Sequence, residues 1–152
     1  LAIPVEIVSD GFGLIIGEVL KKQFAGREDL LDGLRVFSNQ LVFVPSGVKA
    51  VFSEEKICEH GCANCKVRVI RSRSSATDRV IFVGDGMSDR WAAGASHLTF
   101  AKGRLLEFCK RNRVRHEPYT SFQDIETWLA RNVGVISKPG EEIGRAECRG
   151  RV

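Results

Sequence analysis

Arg79-Val-Ile-Phe-Val83-Gly84-Asp85-Gly86-Met87-Ser88-Asp89 decides the fold. Val80 to Val83 is an uninterrupted apolar run, the pattern of a strand buried on both faces, as strands of parallel sheets are. Two glycines and two acids follow, and Arg90 to Ala95, with its alanines, continues as a helix. Strand, glycine turn and helix in this order predict one arm of a parallel α/β sheet. The same order opens the chain. Ile3 to Val8 is mostly apolar and β-branched, Ser9-Asp10-Gly11 reads as a tight turn, and Phe12 to Phe24 carries Leu14, Ile15, Val19 and Leu20 at helical spacing.

Between and beyond these arms, Leu34 to Phe43 and Val48 to Phe52 predict strands joined at Pro45-Ser46-Gly47, and Glu54 to Cys65 predicts a loop. Lys66 to Ser72 predicts a short helix that the polar stretch to Asp78 ends. Leu98 to Phe100 predicts a strand and Gly103 to Asn112 a helix. Ser121 to Arg131 predicts another helix, with Phe122, Ile125, Trp128 and Leu129 on one face, Ser121 as its cap and Asp124 at the capping-box position. The expected fold class is therefore α/β, a Rossmann-like parallel sheet with helices on both faces. Residues 1–132 are expected to form the core domain, and residues 133–152, with their glycines and mixed charges, a flexible tail. No internal repeat is present.

A chain of 152 residues, 43% hydrophobic and 28% charged, is in the range of one soluble globular domain. Its net charge of +4 suits an anionic small substrate as readily as nucleic acid. The stretch Ala101 to His116, where Lys102, Arg104, Lys110, Arg111, Arg113 and Arg115 face only Glu107, carries a charge that exceeds that of the whole chain. Such runs are usually a solvated helix face, and the only aromatic among them, Phe108, sits at an apolar helical position, so no nucleic-acid partner is expected. Lys102, immediately after a strand, is the one member assigned to the rim of a site. No apolar run reaches the roughly 18–20 residues of a membrane-spanning helix, and no signal peptide is evident, so no membrane association and a cytoplasmic location are expected. The chain starts at Leu1 and enters a strand at once, as a piece of a longer polypeptide would. Five cysteines, an odd number in a chain of this length, are expected to be thiols.

Ligands of open α/β sheets collect beyond the carboxyl ends of the strands. Ser9, Asp10 and Gly11 stand there, offering a hydroxyl and backbone N–H groups that suit a phosphate, although a serine in that place also reads as a plain helix cap. Asp85 and Asp89 stand at the second such place. Carboxylate oxygens suit a hard cation such as Mg²⁺, which commonly takes one or two carboxylates with water and substrate phosphate. Capping by Asp85 or Ser88 is the competing reading. Cys58, His60, Cys62 and Cys65 form an alternative zinc set, but no second ligand pair follows it in the chain, and a reduced, redox-sensitive loop is the preferred reading.

Ser9 after its strand, Lys66 after a variable stretch, and Gly84-Asp85-Gly86-Met87-Ser88-Asp89 after another strand resemble the second, third and fourth motifs of haloacid-dehalogenase-like phosphatases. The likeness covers about residues 3 to 131 and is greatest to the phosphoserine-phosphatase-like branch. Phe37-Ser38-Asn39-Gln40-Leu41, Cys62-Ala63-Asn64-Cys65-Lys66 and Leu98-Thr99-Phe100-Ala101-Lys102 are similar to the methionine-salvage members that act on methylthio-keto-pentyl phosphates. The resemblance implies a phosphomonoester hydrolase of a small phosphorylated metabolite, working through an aspartyl-phosphate with Mg²⁺. It implies that Ser9 and Lys66 are catalytic, that Ser9, Asp10, Gly11 and Lys66 bind phosphate, and that Asp85 and Asp89 hold the metal. The nucleophilic aspartate of motif one and the substrate-selecting cap are not in this sequence, so the chain alone is expected to be inactive. Asp10 also replaces a usual glycine. A non-catalytic binding module, either a degenerate phosphatase fold or a zinc-stabilised interaction domain, is the alternative function.

Overall fold

The computed structural model describes residues 3–52, 62–132 and 134. They divide into two compact units, one ending at Cys65 and the other starting at Lys66. In the first unit, strand β1 (Glu6–Phe12) pairs in parallel with β2 (Arg35–Val44), and helix α1 (Gly13–Gln23) lies between them in the chain. A turn at Pro45 and Ser46 reverses the chain into β3 (Gly47–Val51), antiparallel to β2 with Val44 opposite Gly47. The strand order is β1-β2-β3.

Strand β1 differs from the sequence expectation in a way that matters for the site. Ser9-Asp10-Gly11 is not a tight turn opening a helix but the irregular end of the strand itself. Val8 pairs with Phe37 and Phe12 with Asn39, so Ser9, Asp10 and Gly11 stand against Ser38 alone. The surplus residues force a bulge, which breaks the regular ladder and turns local groups out of register. Helix α1 starts only at Gly13, so Ser9 does not cap it. Leu14, Ile15 and Val19 of that helix are exposed.

The second unit holds helix α2 (Lys66–Arg73), strand β4 (Ile81–Gly84), a single 3-10 turn at Met87–Asp89, α3 (Arg90–Gly94), β5 (Leu98–Ala101), α4 (Gly103–Asn112), β6 (His116–Pro118) and α5 (Phe122–Arg131). Strands β4, β5 and β6 form an all-parallel sheet in that order. Side chains of the strands alternate between two apolar clusters, as a period of two requires. Phe82 and Ala101 join Ala93, Leu105 and Cys109 from α3 and α4. Ile81, Val83, Leu98 and Phe100 join Tyr119 and Ile125, Trp128 and Leu129 of α5. Helices thus cover both faces of this sheet, as the expected Rossmann-like α/β architecture demands. Phe100 and Trp128 meet edge to face at 5.3 Å between ring centroids, a preferred aromatic geometry.

One local expectation needs correction, the capping box at the start of α5 is present as expected, and one strand is new. Phe122, expected on the buried face of α5, is 72% exposed and only flanks Tyr119. The start of α5 is held by Asp124, whose Oδ2 accepts from the N–H groups of Thr120 and Ser121 and from the Thr120 hydroxyl. These hydrogen bonds, that from the Thr120 side chain foremost, lower the Asp124 carboxyl to about 2. Strand β6 was not anticipated, because His116-Glu117-Pro118 carries no apolar run and is defined only by pairing with β5. Among the described residues no helix is long and apolar enough to cross a membrane.

Candidate active site

Gly84, Ala101 and Pro118 end the three parallel strands of the second unit, and the candidate residues of that unit gather there. Asp89 folds back over the end of β4. Its Oδ2 accepts the N–H groups of Asp85 at 3.1 Å and Gly86 at 3.0 Å, and Oδ1 lies 3.3 Å from Lys66 Nζ. Lys66, the first residue of α2, also donates to Ser88 Oγ at 3.4 Å. A β-carbon at Gly84 would come within 2.7 Å of Asp89 Oδ2, so this position must be glycine for the carboxylate to reach the turn. Capping of the turn therefore falls to Asp89 rather than to Asp85 or Ser88. Lys66 and Asp89 are both buried; a charge so placed persists only when paired and hydrogen-bonded.

Asp85 differs in kind. Its residue is exposed and its carboxylate makes no hydrogen bond among the described residues. Its main chain is nonetheless fixed: the carbonyl accepts from Leu105 N at 3.1 Å, and Lys102 N donates to the neighbouring Gly84 carbonyl at 3.3 Å. Gly103 permits this docking, since it has φ +54° and a β-carbon there would stand 3.2 Å from the Asp85 carbonyl oxygen. Lys102, assigned from sequence to the rim, stretches its ammonium over the ring of Tyr119, 5.0 Å from the centroid. Burial, and then the negative charges of Asp85 and Asp89, push the Tyr119 phenol up from its usual range. The structure thus brings Lys66, Asp85, Asp89 and Lys102 to one strand-end region, with Ser88 and Tyr119 added.

Magnesium fits this donor set in a divided way. Asp89 Oδ2 already accepts two N–H groups and Oδ1 faces Lys66, so it is poorly placed as a full direct ligand and well placed to fix the turn. Asp85 offers an open carboxylate at a rigid backbone position, which suits one direct bond to a hard cation.

The first unit carries the other candidates. Ser9 Oγ accepts Gly11 N–H at 3.0 Å. Asn39 Nδ2 donates to the Asp10 carbonyl at 2.8 Å and Asn64 Nδ2 to the Ser9 carbonyl at 3.0 Å. Asp10 and Gly11 are exposed. Of the zinc set, Cys58 and His60 lie outside the described residues; Cys62 and Cys65 form no disulfide, and no group of three or more histidine, cysteine or acidic residues placed to hold a metal occurs among the described residues.

Sequence reading missed Tyr119, Asn39 and Asn64. Tyr119 follows a strand too short and polar to be seen, which hid its place at a strand end. Asn39 had a signal: an amide side chain inside Val-Phe-Ser-Asn-Gln-Leu-Val implies a buried partner.

A parallel α/β sheet covered by helices on both faces defines a Rossmann-like core, with Lys66, Asp85 and Asp89 near its strand ends. No protein-family model matches the chain. It is similar to proteins named 2-hydroxy-3-keto-5-methylthiopentenyl-1-phosphate phosphatase. That of Bacillus cytotoxicus is 34% identical over 112 residues, covering 70% of this chain and 51% of the relative. That of Exiguobacterium sp. is 27% identical over 128 residues, 82% of this chain and 55% of the relative. That of Bacillus velezensis is 29% identical over 136 residues, 88% of this chain and 55% of the relative. These comparisons bear out the resemblance to methionine-salvage phosphatases drawn from the motifs. The chain spans about half the length of the curated relatives it matches.

Proposed function

We propose that this chain supplies the phosphate- and metal-handling part of a phosphomonoester hydrolase acting on a small phosphorylated metabolite, 2-hydroxy-3-keto-5-methylthiopentenyl-1-phosphate being the first candidate. The observation that carries the reading is the buried Lys66–Asp89 pair beside the open carboxylate of Asp85 at the strand ends, in a chain similar to phosphatases of that name. Phosphoryl transfer depends mostly on positioning and on stabilising charge. In this reading Lys66, held by Asp89 and Ser88, keeps an ammonium aimed where charge develops on the phosphoryl group. Ser9, whose Oγ has already accepted Gly11 N–H, has its single proton to give to a phosphoryl oxygen. Asp85 holds Mg²⁺ and Asp89 fixes the turn that carries Asp85. Magnesium, when bound, supplies Lewis-acid polarisation and a template for the phosphate. The nucleophile in this reading is an aspartate supplied outside these 152 residues, which the greater length of the relatives supports. β1 and β4 are each the end strand of the sheet in their own unit among the described residues. The cytoplasm is the compartment this reading assigns.

The test is phosphate release by the full natural polypeptide from a panel of small phosphomonoesters, with and without chelator. Chelator-sensitive release from the methylthio substrate is expected. Absence of release from every ester, with magnesium present, ends the reading.

A further inference from the structure

We infer that Asn39 and Asn64 are positioning residues for the Ser9–Gly11 segment: together they clamp two successive peptide groups of the bulge and so aim its N–H groups and the Ser9 hydroxyl. Asn39 is on β2, and Asn64 lies in the chain just before α2. Their relative exposures are 0% and 4%, and each donates through Nδ2 to a main-chain carbonyl of adjacent residues, Asp10 and Ser9 respectively. A carbonyl only accepts, so the atom facing it is the amide nitrogen in both cases. Asn39 Oδ1 is buried with no hydrogen-bond partner. An amide in that place is therefore costly apart from its bond to Asp10, and a leucine of similar volume would suit an apolar strand better. The single service the side chain performs among the described residues is to hold the bulge.

The consequence for chemistry follows from the planar trans peptide, in which C=O and the next N–H point in opposite directions. Fixing the Ser9 carbonyl toward Asn64 directs Asp10 N–H the opposite way. Fixing the Asp10 carbonyl toward Asn39 directs Gly11 N–H away from Asn39, and that N–H is the one Ser9 Oγ accepts. The serine hydroxyl is thereby left in the role of donor. The ladder is irregular across the bulge, and two side chains from elsewhere in the unit fix its peptide orientations. The use of this arrangement for a phosphoryl oxygen rests on the proposed function, whereas the clamp does not.

The experiment takes the full natural polypeptide with Asn64→Ala and, separately, Asn39→Leu, and follows hydrogen exchange of the peptide covering residues 6–12 and of that covering β2–β3. Each variant is expected to speed exchange within 9–12 by about five-fold, roughly the factor that one net hydrogen bond supplies, with β2–β3 unchanged. Should Asn39→Leu fail to fold, slow exchange of the Asn39 and Asn64 side-chain amide protons in the wild type gives the same information. Unchanged exchange at 9–12, an equal rise across the whole unit, or fast side-chain amides in the wild type overturns the clamp. Inorganic phosphate is the second probe: it is expected to slow exchange at 9–12 in the wild type and to do so with about five-fold weaker affinity in each variant. Phosphate that leaves 9–12 untouched while the clamp variants behave as expected refutes the phosphate role of Ser9 and leaves the clamp standing.

Discussion

Strands β5 and β2 are both apolar in sequence, and the structure treats them in opposite ways. All four residues of β5, Leu98–Ala101, are buried, while of the ten residues of β2 only Asn39 is buried. Strand β3, paired with β2, is exposed along its whole length. The difference comes from what lies over each sheet. In the second unit α3 and α4 cover one face and α5 the other, so Leu98, Phe100 and Ala101 pack into apolar clusters, while the buried Thr99 hydroxyl bonds to Ser96 Oγ and the Ala93 carbonyl. In the first unit Val42, Phe43, Val44, Val48 and Val51 stay exposed. Apolar character in a run of β-branched residues forecasts a strand; it forecasts burial only where helices follow on both sides in the chain.

That contrast can be broken by paired truncations. Phe100→Ala, in the fully covered strand, is expected to cost about 4 kcal/mol, the usual loss for a buried phenylalanine. Phe43→Ala, at a residue 68% exposed, is expected to cost less than about 0.5 kcal/mol. Urea unfolding of the two variants checks this, and similar midpoints for both would show that the sheets are packed alike.

Next in size is the buried ion pair. Lys66→Ala leaves the Asp89 carboxylate buried without its cation, and about 3 kcal/mol is expected to be lost, toward the lower end of what breaking such a pair costs. Replacing both partners, Lys66→Met with Asp89→Asn, is expected to recover part of that loss. A double variant less stable than Lys66→Ala alone would argue against the ion pair as the cause.

Gly103→Ala is smaller. The left-handed backbone and the nearby Asp85 carbonyl make about 1–2 kcal/mol of strain the expected cost. Because the strain falls on the Lys102–Gly103 junction, metal affinity is expected to weaken with it. Calorimetric Mg²⁺ titration that gives wild-type affinity in Gly103→Ala contradicts the docking of Asp85 onto α4.

The smallest effect separates a solvent-facing acid from the buried one. Asp124 has a carboxyl lowered from 3.8 to about 2 by hydrogen bonds from Thr120 and Ser121. A lowered folded value means that the stabilisation is full above about pH 4 and is lost as the pH falls toward 2. Asp124→Asn is expected to flatten that part of the acid unfolding curve, and an unaltered curve refutes the cap.

Much of the second unit was legible in the sequence because local pattern and tertiary environment agree there. Val80-Ile-Phe-Val83 and Leu98-Thr-Phe100 are short apolar runs with glycine or lysine at their ends, and Gly103 to Asn112 was read with its observed bounds. The roles of the acids were less legible. Asp85 and Asp89 have the same side chain and similar neighbours in sequence, yet one is an open carboxylate and the other a buried cap, a distinction made by Lys66 from 23 positions away in the chain. The bulge at Ser9-Asp10-Gly11 was unreadable for a similar reason. Glycine after serine and aspartate resembles a tight turn locally, and only the register against β2, with Asn39 and Asn64 on the carbonyls, makes it an extended end of β1.

Under the proposed function Asp85 serves chemistry while Lys66 and Asp89 serve both chemistry and fold, and one variant separates the two. Asp85 is exposed and its carboxylate makes no hydrogen bond among the described residues, so Asp85→Ala in the full natural polypeptide is expected to change unfolding free energy by less than about 0.5 kcal/mol. The same variant is expected to lower magnesium-dependent phosphate release from 2-hydroxy-3-keto-5-methylthiopentenyl-1-phosphate by on the order of 100-fold or more, the scale of losing one electrostatic group in such a site. Release at the wild-type rate, with the same magnesium dependence, would show that Asp85 holds no metal in the reaction.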